Sequence, residues 1–422
     1  MPARLALFLL ALGAAACSEY DDSQFAGNDG PARDPDREGG GADVASEDAP
    51  AATDITAGDR AMEGGTTIAR DAALDAVRDD PSPDHAADAA FDAAPSDAPG
   101  DGAPGDVSGA DASSSDALSD ATGDPTAPRF FRTGQYSIVI PASGDAGVSG
   151  DAASGDPADV YYPDPPDLRT GSYTFPVVLL LQGAKVARGF YGGVAAGVAR
   201  YGFIVVVPDH TSNNIGGPGL YAELGEIAAA SAQMKIEALS ATAPVRGVVD
   251  TTRIALMGHS YGGASGLSGM ANACFPPIPL CTFTRPPDLV AGAFYGTNLA
   301  TPILGVPALD TGGLPVLVVQ GDRDGKALPA DAQKTYDQIQ KRPKAIISLI
   351  GANHYGVTDV DNPTGADPEV NAQTLDHAEG VASTARWIGV FFAAFLHGDT
   401  AARGALRAAG SFDPHVAIVL AE

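Results

Sequence analysis

The sequence predicts an α/β protein: an open, mostly parallel sheet with helices on both faces, preceded by a long acidic spacer. Three observations carry that expectation. Near-continuous apolar runs such as "FPVVLLLQG" and "GFIVVVPDH" recur along the second part of the chain, and a strand covered on both faces reads this way. Helical patterns alternate with those runs, as crossover connections between parallel strands require. Ahead of about residue 128 the composition is different, and no such runs appear between residues 18 and 127.

The front of the chain comes first. Residues 1–17, "MPARLALFLLALGAAAC", place Arg4 before an apolar run from Leu5 to Leu12, with small residues ahead of Cys17. That is the pattern of an export signal, too short to span a bilayer as a mature helix. Only three cysteines occur in 422 residues, and one stands where a lipoprotein signal is cut. Cys17 is therefore expected to carry a lipid anchor; an ordinary cleaved signal with an incidental cysteine is the alternative. Residues 18–127 are rich in Asp, Ala, Gly, Pro and Ser. They hold 27 of the 53 acidic residues and five of the 25 basic ones, so they account for −22 of the net −28. Aromatic and β-branched residues are too few there to bury a core, so a disordered tether is expected. A coil of that length reaches about 60 Å. The acidity belongs to the tether, and it argues against nucleic acid as a partner.

Residues 128–422 are expected to form one domain. Opening strands fall at 136–141 and 159–163. Buried strands follow at 175–183, 202–210 and 253–258, then at 289–296, 314–321 and 344–351. Helices are expected near 190–201, over 220–241 and 261–273, and near 330–341 and 379–396. Cys274 and Cys281 lie close together in "ACFPPIPLC". In an exported protein they read as a local disulfide, with two free thiols as the alternative.

The chemistry centres on "MGHSYGG", residues 257–263. A G-x-S-x-G pentad means little by itself in a chain with 51 glycines. Here it sits between a buried strand and a helix, which makes it a nucleophile elbow, a tight turn that lifts the Ser260 hydroxyl off the sheet. A serine hydroxyl needs a base to take its proton and a third group to orient the base. In chain order the acid and then the histidine should follow the serine. His354, in "IGANHYG" just past a strand, is the expected base, because ligand and catalytic groups gather at the C-terminal ends of parallel strands. His377 is the main rival. In "VVQGDRDGKALP" Asp324 is the expected acid, while Asp322 is assigned to capping the turn. The oxyanion hole needs two backbone N–H groups: Tyr261, after the serine, and Ala184, after "VVLLLQG". The Tyr261 side chain either lines the acyl pocket or packs against the core. The acidic loop "GVTDVDNPTGADPE" (356–369) has no standard calcium spacing, and its side chains are read as solvated turn residues.

Taken together, "VYYP", "PVVLLLQGAKVARGFYGGVAAGVARYGFIVVVPDH", "VDTTRIALMGHSYGG", "LPVLVVQGDRDGKALP" and "ISLIGANHYG" resemble the α/β-hydrolase group that includes bacterial cutinase-like polyester hydrolases, chlorophyllases and platelet-activating-factor acetylhydrolases. The resemblance covers about residues 133–400. It implies the α/β-hydrolase fold, a Ser260–His354–Asp324 triad and oxyanion donors at Ala184 and Tyr261. The expected protein is an exported serine ester hydrolase that forms an acyl-enzyme. It uses no cofactor or metal, acts on a small or polymeric ester, is monomeric in its domain and meets a membrane through Cys17. An amidase or acyltransferase with the same triad is one alternative; a non-catalytic surface lipoprotein on the same scaffold is another.

Overall fold

The computed structural model describes residues 123–141, 155–214, 217–278 and 281–421. The expected signal 1–17 with Cys17, and the spacer as far as residue 122, lie outside the described residues. Among the described residues there are eleven strands: β1 (Thr133–Ile140), β2 (Asp156–Pro163), β3 (Phe175–Leu181), β4 (Ile204–Pro208), β5 (Thr211–Asn214), β6 (Gly217–Leu220), β7 (Val249–His259), β8 (Leu289–Tyr295), β9 (Val316–Gly321), β10 (Lys344–Leu349) and β11 (Val416–Ala421). The helices are α1 (Gly192–Ala199), α2 (Gly225–Glu237), α3 (Tyr261–Met270), α4 (Pro329–Gln338), α5 (His377–Leu396), α6 (Thr400–Arg407) and α7 (Ala409–Phe412).

Nine strands form one sheet in the order β1-β2-β4-β3-β7-β8-β9-β10-β11. From β4 to β10 every pairing is parallel, while β1, β2 and β11 join antiparallel at the two edges. Burial follows from that placement. Every residue of β3, β4 and β9 is buried, whereas β1 alternates along its length. Successive side chains of a strand point to opposite faces. Val178 and Leu180 accordingly join the core under α1 and α5, and Val177, Leu179 and Leu181 join the core under α2, α3 and α4. This is the α/β-hydrolase arrangement expected from the sequence. Among the described residues no helix is long and apolar enough to cross a membrane.

The structure corrects several boundaries. The helix expected over 220–241 is only Gly225–Glu237, and ahead of it β5 and β6 pair as a separate hairpin. The stretch "TSNNIGGPGL" is too polar and glycine-rich to show the apolar alternation of a strand, which is why no strand was expected there. β11, a C-terminal edge strand, was also not expected. Residues 123–127 fell within the spacer by composition, yet they pack on the domain. Thr126 is buried, and its carbonyl accepts from the Tyr201 hydroxyl at 2.7 Å. A buried tyrosine hydroxyl needs such a partner. Cys274 and Cys281 are joined by a disulfide with their Cα atoms 6.0 Å apart.

Candidate active site

β7 ends at His259 and α3 begins at Tyr261, so Ser260 is the whole of the connection. Its backbone is held at φ 53° and ψ −119°, a conformation that costs a non-glycine residue about 1–3 kcal/mol. Neighbouring strands hold it there. The Ser260 N–H donates to the Tyr295 carbonyl at 2.9 Å, and the Ser260 carbonyl accepts from the Thr297 hydroxyl at 2.9 Å. Space explains the pentad's glycines. A Cβ on Gly258 would stand 2.7 Å from the Gly262 carbonyl oxygen, and one on Gly262 would strike the Leu181 and Gln182 carbonyl oxygens.

The loops after β9 and β10 bring two side chains to this serine. His354 Nε2 lies 2.9 Å from Ser260 Oγ, and His354 Nδ1 lies 2.9 and 3.0 Å from the two Asp324 carboxylate oxygens. A carboxylate only accepts, so Nδ1 carries the proton and Nε2 is left bare toward the serine hydroxyl. Asp324 and His354 are buried, 2 % and 3 % exposed. The Asp324 carboxylate also accepts from the Lys326 and Ala327 N–H groups at 2.9 and 2.7 Å and from Gln320 Nε2 at 3.1 Å.

Ser260 and His354 open on a cavity of about 320 Å³, with Ala184, Val186, Tyr261, Ala264, Thr297 and Lys326 in its wall. Ala184 and Tyr261, the expected oxyanion donors, thus line the same cavity as Ser260. No described residue accepts from the Ala184 N–H. Tyr261 lines the cavity, and its ring packs edge-on against Tyr221, with ring centroids 5.5 Å apart.

The rivals fall elsewhere. His377 opens α5, and its Nε2–H donates to the Thr358 carbonyl at 2.7 Å, a bond that ties it to the helix entry and away from Ser260. Asp322 accepts from the Gly351 N–H at 2.7 Å and so clips the ends of β9 and β10 together.

Three residues that the motifs do not mark shape this site. Gln320 bonds both Asp324 and the Ala327 carbonyl, the latter at 2.8 Å. Glu369 closes the acidic loop read as solvated. Its carboxylate accepts from the His354 N–H at 3.1 Å and from the Gly325 N–H at 3.2 Å, which joins the two loops carrying His354 and Asp324. Tyr191, at the entry to α1, is fully buried and bonds His259 of the elbow, with Oη 2.9 Å from Nδ1. A polar residue inside an apolar strand end was the one signal for Gln320. A lone glutamate in a loop, and a tyrosine among glycines and alanines, gave none.

A serine elbow joins a parallel strand to a helix, and the acid and then the histidine follow in the loops after later strands. The chlorophyllase family model matches residues 156–370. The chain belongs to the chlorophyllase family. That family is one of ester hydrolases on the α/β-hydrolase fold. The chlorophyllase match opens at β2 and closes just after Glu369, so it contains Ala184, Ser260, Asp324 and His354, and it leaves out α5 to β11. No curated protein matches the chain.

Proposed function

We propose that this chlorophyllase-family chain is an exported serine ester hydrolase that works through an acyl-enzyme. Ser260 Oγ attacks the ester carbonyl carbon while His354 Nε2 takes the hydroxyl proton. Asp324 holds Nδ1–H and stabilises the imidazolium that forms. The carbonyl oxygen becomes an oxyanion and receives the Ala184 and Tyr261 N–H groups, aided by the N-terminus of α3 behind it. The tetrahedral intermediate collapses, the C–O bond breaks, and His354 returns the proton to the leaving alcohol. Water then enters, gives its proton to the same nitrogen and releases the acid, restoring Ser260.

The observation that carries this reading is the unbroken chain of hydrogen bonds from Ser260 Oγ to the Asp324 carboxylate, 2.9 Å at each junction, at the wall of an open cavity. The cavity's volume also speaks to substrate. At about 320 Å³ it lies at the lower end of ligand pockets. It accommodates the ester group with a short chain, and a tetrapyrrole ring would have to rest outside it. We therefore expect short-chain esters, free or at the surface of a polymer. Export, with Cys17 as the lipid anchor and the acidic spacer after it as the tether, fits the Cys274–Cys281 disulfide.

Fluorophosphonate labelling and turnover of p-nitrophenyl esters test the proposal together. Ser260→Ala should lose labelling and about 10⁴-fold or more in kcat without a loss of secondary structure, and acetate or butyrate esters should turn over faster than palmitate. Native turnover by Ser260→Ala would overturn the mechanism.

A further inference from the structure

Beside the triad lies a second run of hydrogen bonds, entirely buried, that the chemistry above does not use. The Gly183 N–H donates to the Tyr191 hydroxyl oxygen at 2.8 Å. Tyr191 Oη lies 2.9 Å from His259 Nδ1, and His259 Nε2 lies 3.0 Å from the His354 carbonyl oxygen. Tyr191 and His259 are 0 % and 1 % exposed. The direction of each bond follows from the atoms present. A carbonyl oxygen only accepts, so His259 Nε2 carries a proton. Burial, with the nearby His354 as a lesser cause, holds His259 well below the usual histidine range. The ring is therefore neutral, Nδ1 is bare, and the Tyr191 hydroxyl must be its donor. Every polar atom in the run is satisfied, in one direction only.

The ends of this run matter more than its middle. Gly183 immediately precedes Ala184, the oxyanion donor carried at the end of β3. His354 is the base, carried after β10. His259 stands between them, next to the nucleophile, at the end of β7. Through Tyr191 one imidazole thus connects three of the four strands that supply the chemistry, all but β9, which Asp324 follows. Gly183 is required for the connection, because a Cβ there would stand 2.6 Å from His259 Nδ1. Tyr295 supports the same loop by donating to the Asn353 carbonyl at 2.7 Å. The neutrality of His259 has its own consequence. Its ring centroid is 4.8 Å from that of His354, so a charged ring would oppose the imidazolium that forms as Ser260 attacks, whereas a neutral one does not.

We infer that Tyr191 and His259 are positioning residues for ester hydrolysis: a one-way hydrogen-bonded relay that fixes the Ala184 N–H and the His354 imidazole relative to one another around Ser260. The inference rests on the reading of Ser260, His354 and Ala184 given above. The relay acts where both groups are needed at once, in the tetrahedral transition state, so it affects kcat and leaves ester binding nearly alone.

Tyr191→Phe tests it. The ring and its packing remain, while Gly183 N–H loses its acceptor and His259 loses its donor. The control is Tyr201→Phe, which removes another buried hydroxyl, the one bonded to the Thr126 carbonyl at 2.7 Å, away from the site. Both variants, with Ser260→Ala alongside, are assayed on p-nitrophenyl butyrate for kcat and KM, on an alkyl boronic acid for inhibition, and by urea midpoint. Tyr191→Phe should lose about tenfold or more in kcat and in boronic acid affinity, with KM within about twofold, because displacing one oxyanion donor is worth at least that much. Tyr201→Phe should lower the urea midpoint with kcat unchanged. Native kcat in Tyr191→Phe, or an equal fall in both variants, overturns the relay. If Ser260→Ala is itself active, the reading of the site fails; if it is dead and Tyr191→Phe is unimpaired, only the relay fails.

Discussion

Two buried histidines, each at the C-terminal end of an apolar parallel strand, have opposite surroundings. His259 ends β7 among tyrosines and His354; burial holds it well below the usual histidine range, and it is neutral. His210 stands two residues past β4. Its Nδ1 is 2.8 Å from the Asp156 carboxylate and its Nε2 3.5 Å from that of Glu223, with Glu226 buried beside it. Burial opposes a charged ring there too. The hydrogen bond to Asp156, the ion pair with Glu223 and the charge of Glu226 outweigh it, and His210 is pushed up to about 11. A low-dielectric interior thus neutralises one histidine and keeps the other charged, according to whether the fold supplies carboxylates. The first region serves the chemistry. The second holds the entry of β2, the end of β4 and the segment leading into α2 together.

The largest break between the regions should come from changing one side chain in each. Asp324→Asn leaves His354 Nδ1 facing an amide, which favours the wrong tautomer, and kcat should fall by about 10³–10⁴-fold with little change in urea midpoint. His210→Gln should do the reverse. It leaves Asp156, Glu223 and Glu226 without their cation, which costs about 3 kcal/mol when a buried pair is broken. The measurement is the urea midpoint, with kcat/KM on a soluble ester retained. Loss of activity in His210→Gln while folding is intact would show that the two regions are coupled.

Stability against pH sharpens the same contrast. His210 is raised from 6.5 to about 11, so its contribution is complete below pH 6.5 and is lost as pH rises toward 11. Glu226 is raised from 4.5 to about 7, by burial first; its contribution is likewise present below pH 4.5 and fades as pH rises through 7. His397 is lowered from 6.5 to about 4 by burial and then by Arg129. Its contribution is present above pH 6.5 and disappears as pH falls toward 4. Urea midpoints should therefore decline between pH 7 and 10 in the native protein and decline less in His210→Gln. Parallel alkaline slopes in the two proteins would remove His210 as the cause.

The smallest effect belongs to the disulfide. It closes a loop of seven residues' separation, worth at most about 2–3 kcal/mol on the chain-entropy model. Reduction should lower the urea midpoint and leave esterase activity and the alkaline slope unchanged. A thiol titration of the denatured, unreduced protein showing two free thiols would mean that the bridge is not formed.

Much of the frame was legible because it rests on local patterns. β3, β4 and β9 announce themselves as continuous apolar runs, and those runs are buried on both faces for the reason they are apolar. Ser260, Asp324 and His354 were legible because each follows such a strand at its C-terminal end. The β5–β6 hairpin and β11 were missed. The first is made of polar and glycine residues with no period, and the second acquires meaning only by pairing with β10 on a sheet edge. Gln320 and Glu369 could not be assigned partners, since what each holds lies on another loop.

By itself, then, the sequence determined the alternation of strands and helices, the strained turn at Ser260 and the order of serine, acid and histidine. These depend on hydrophobic period, on the room left by Gly258 and Gly262, and on which strand each residue follows. Only the tertiary structure decided that His377 is tied to Thr358 rather than to Ser260, that Glu369 joins two loops, and that His259 is neutral while His210 is charged. Hydrogen-bond partners and local dielectric are set by groups brought in from distant strands, and a histidine's charge is read from those neighbours, never from its own place in the chain.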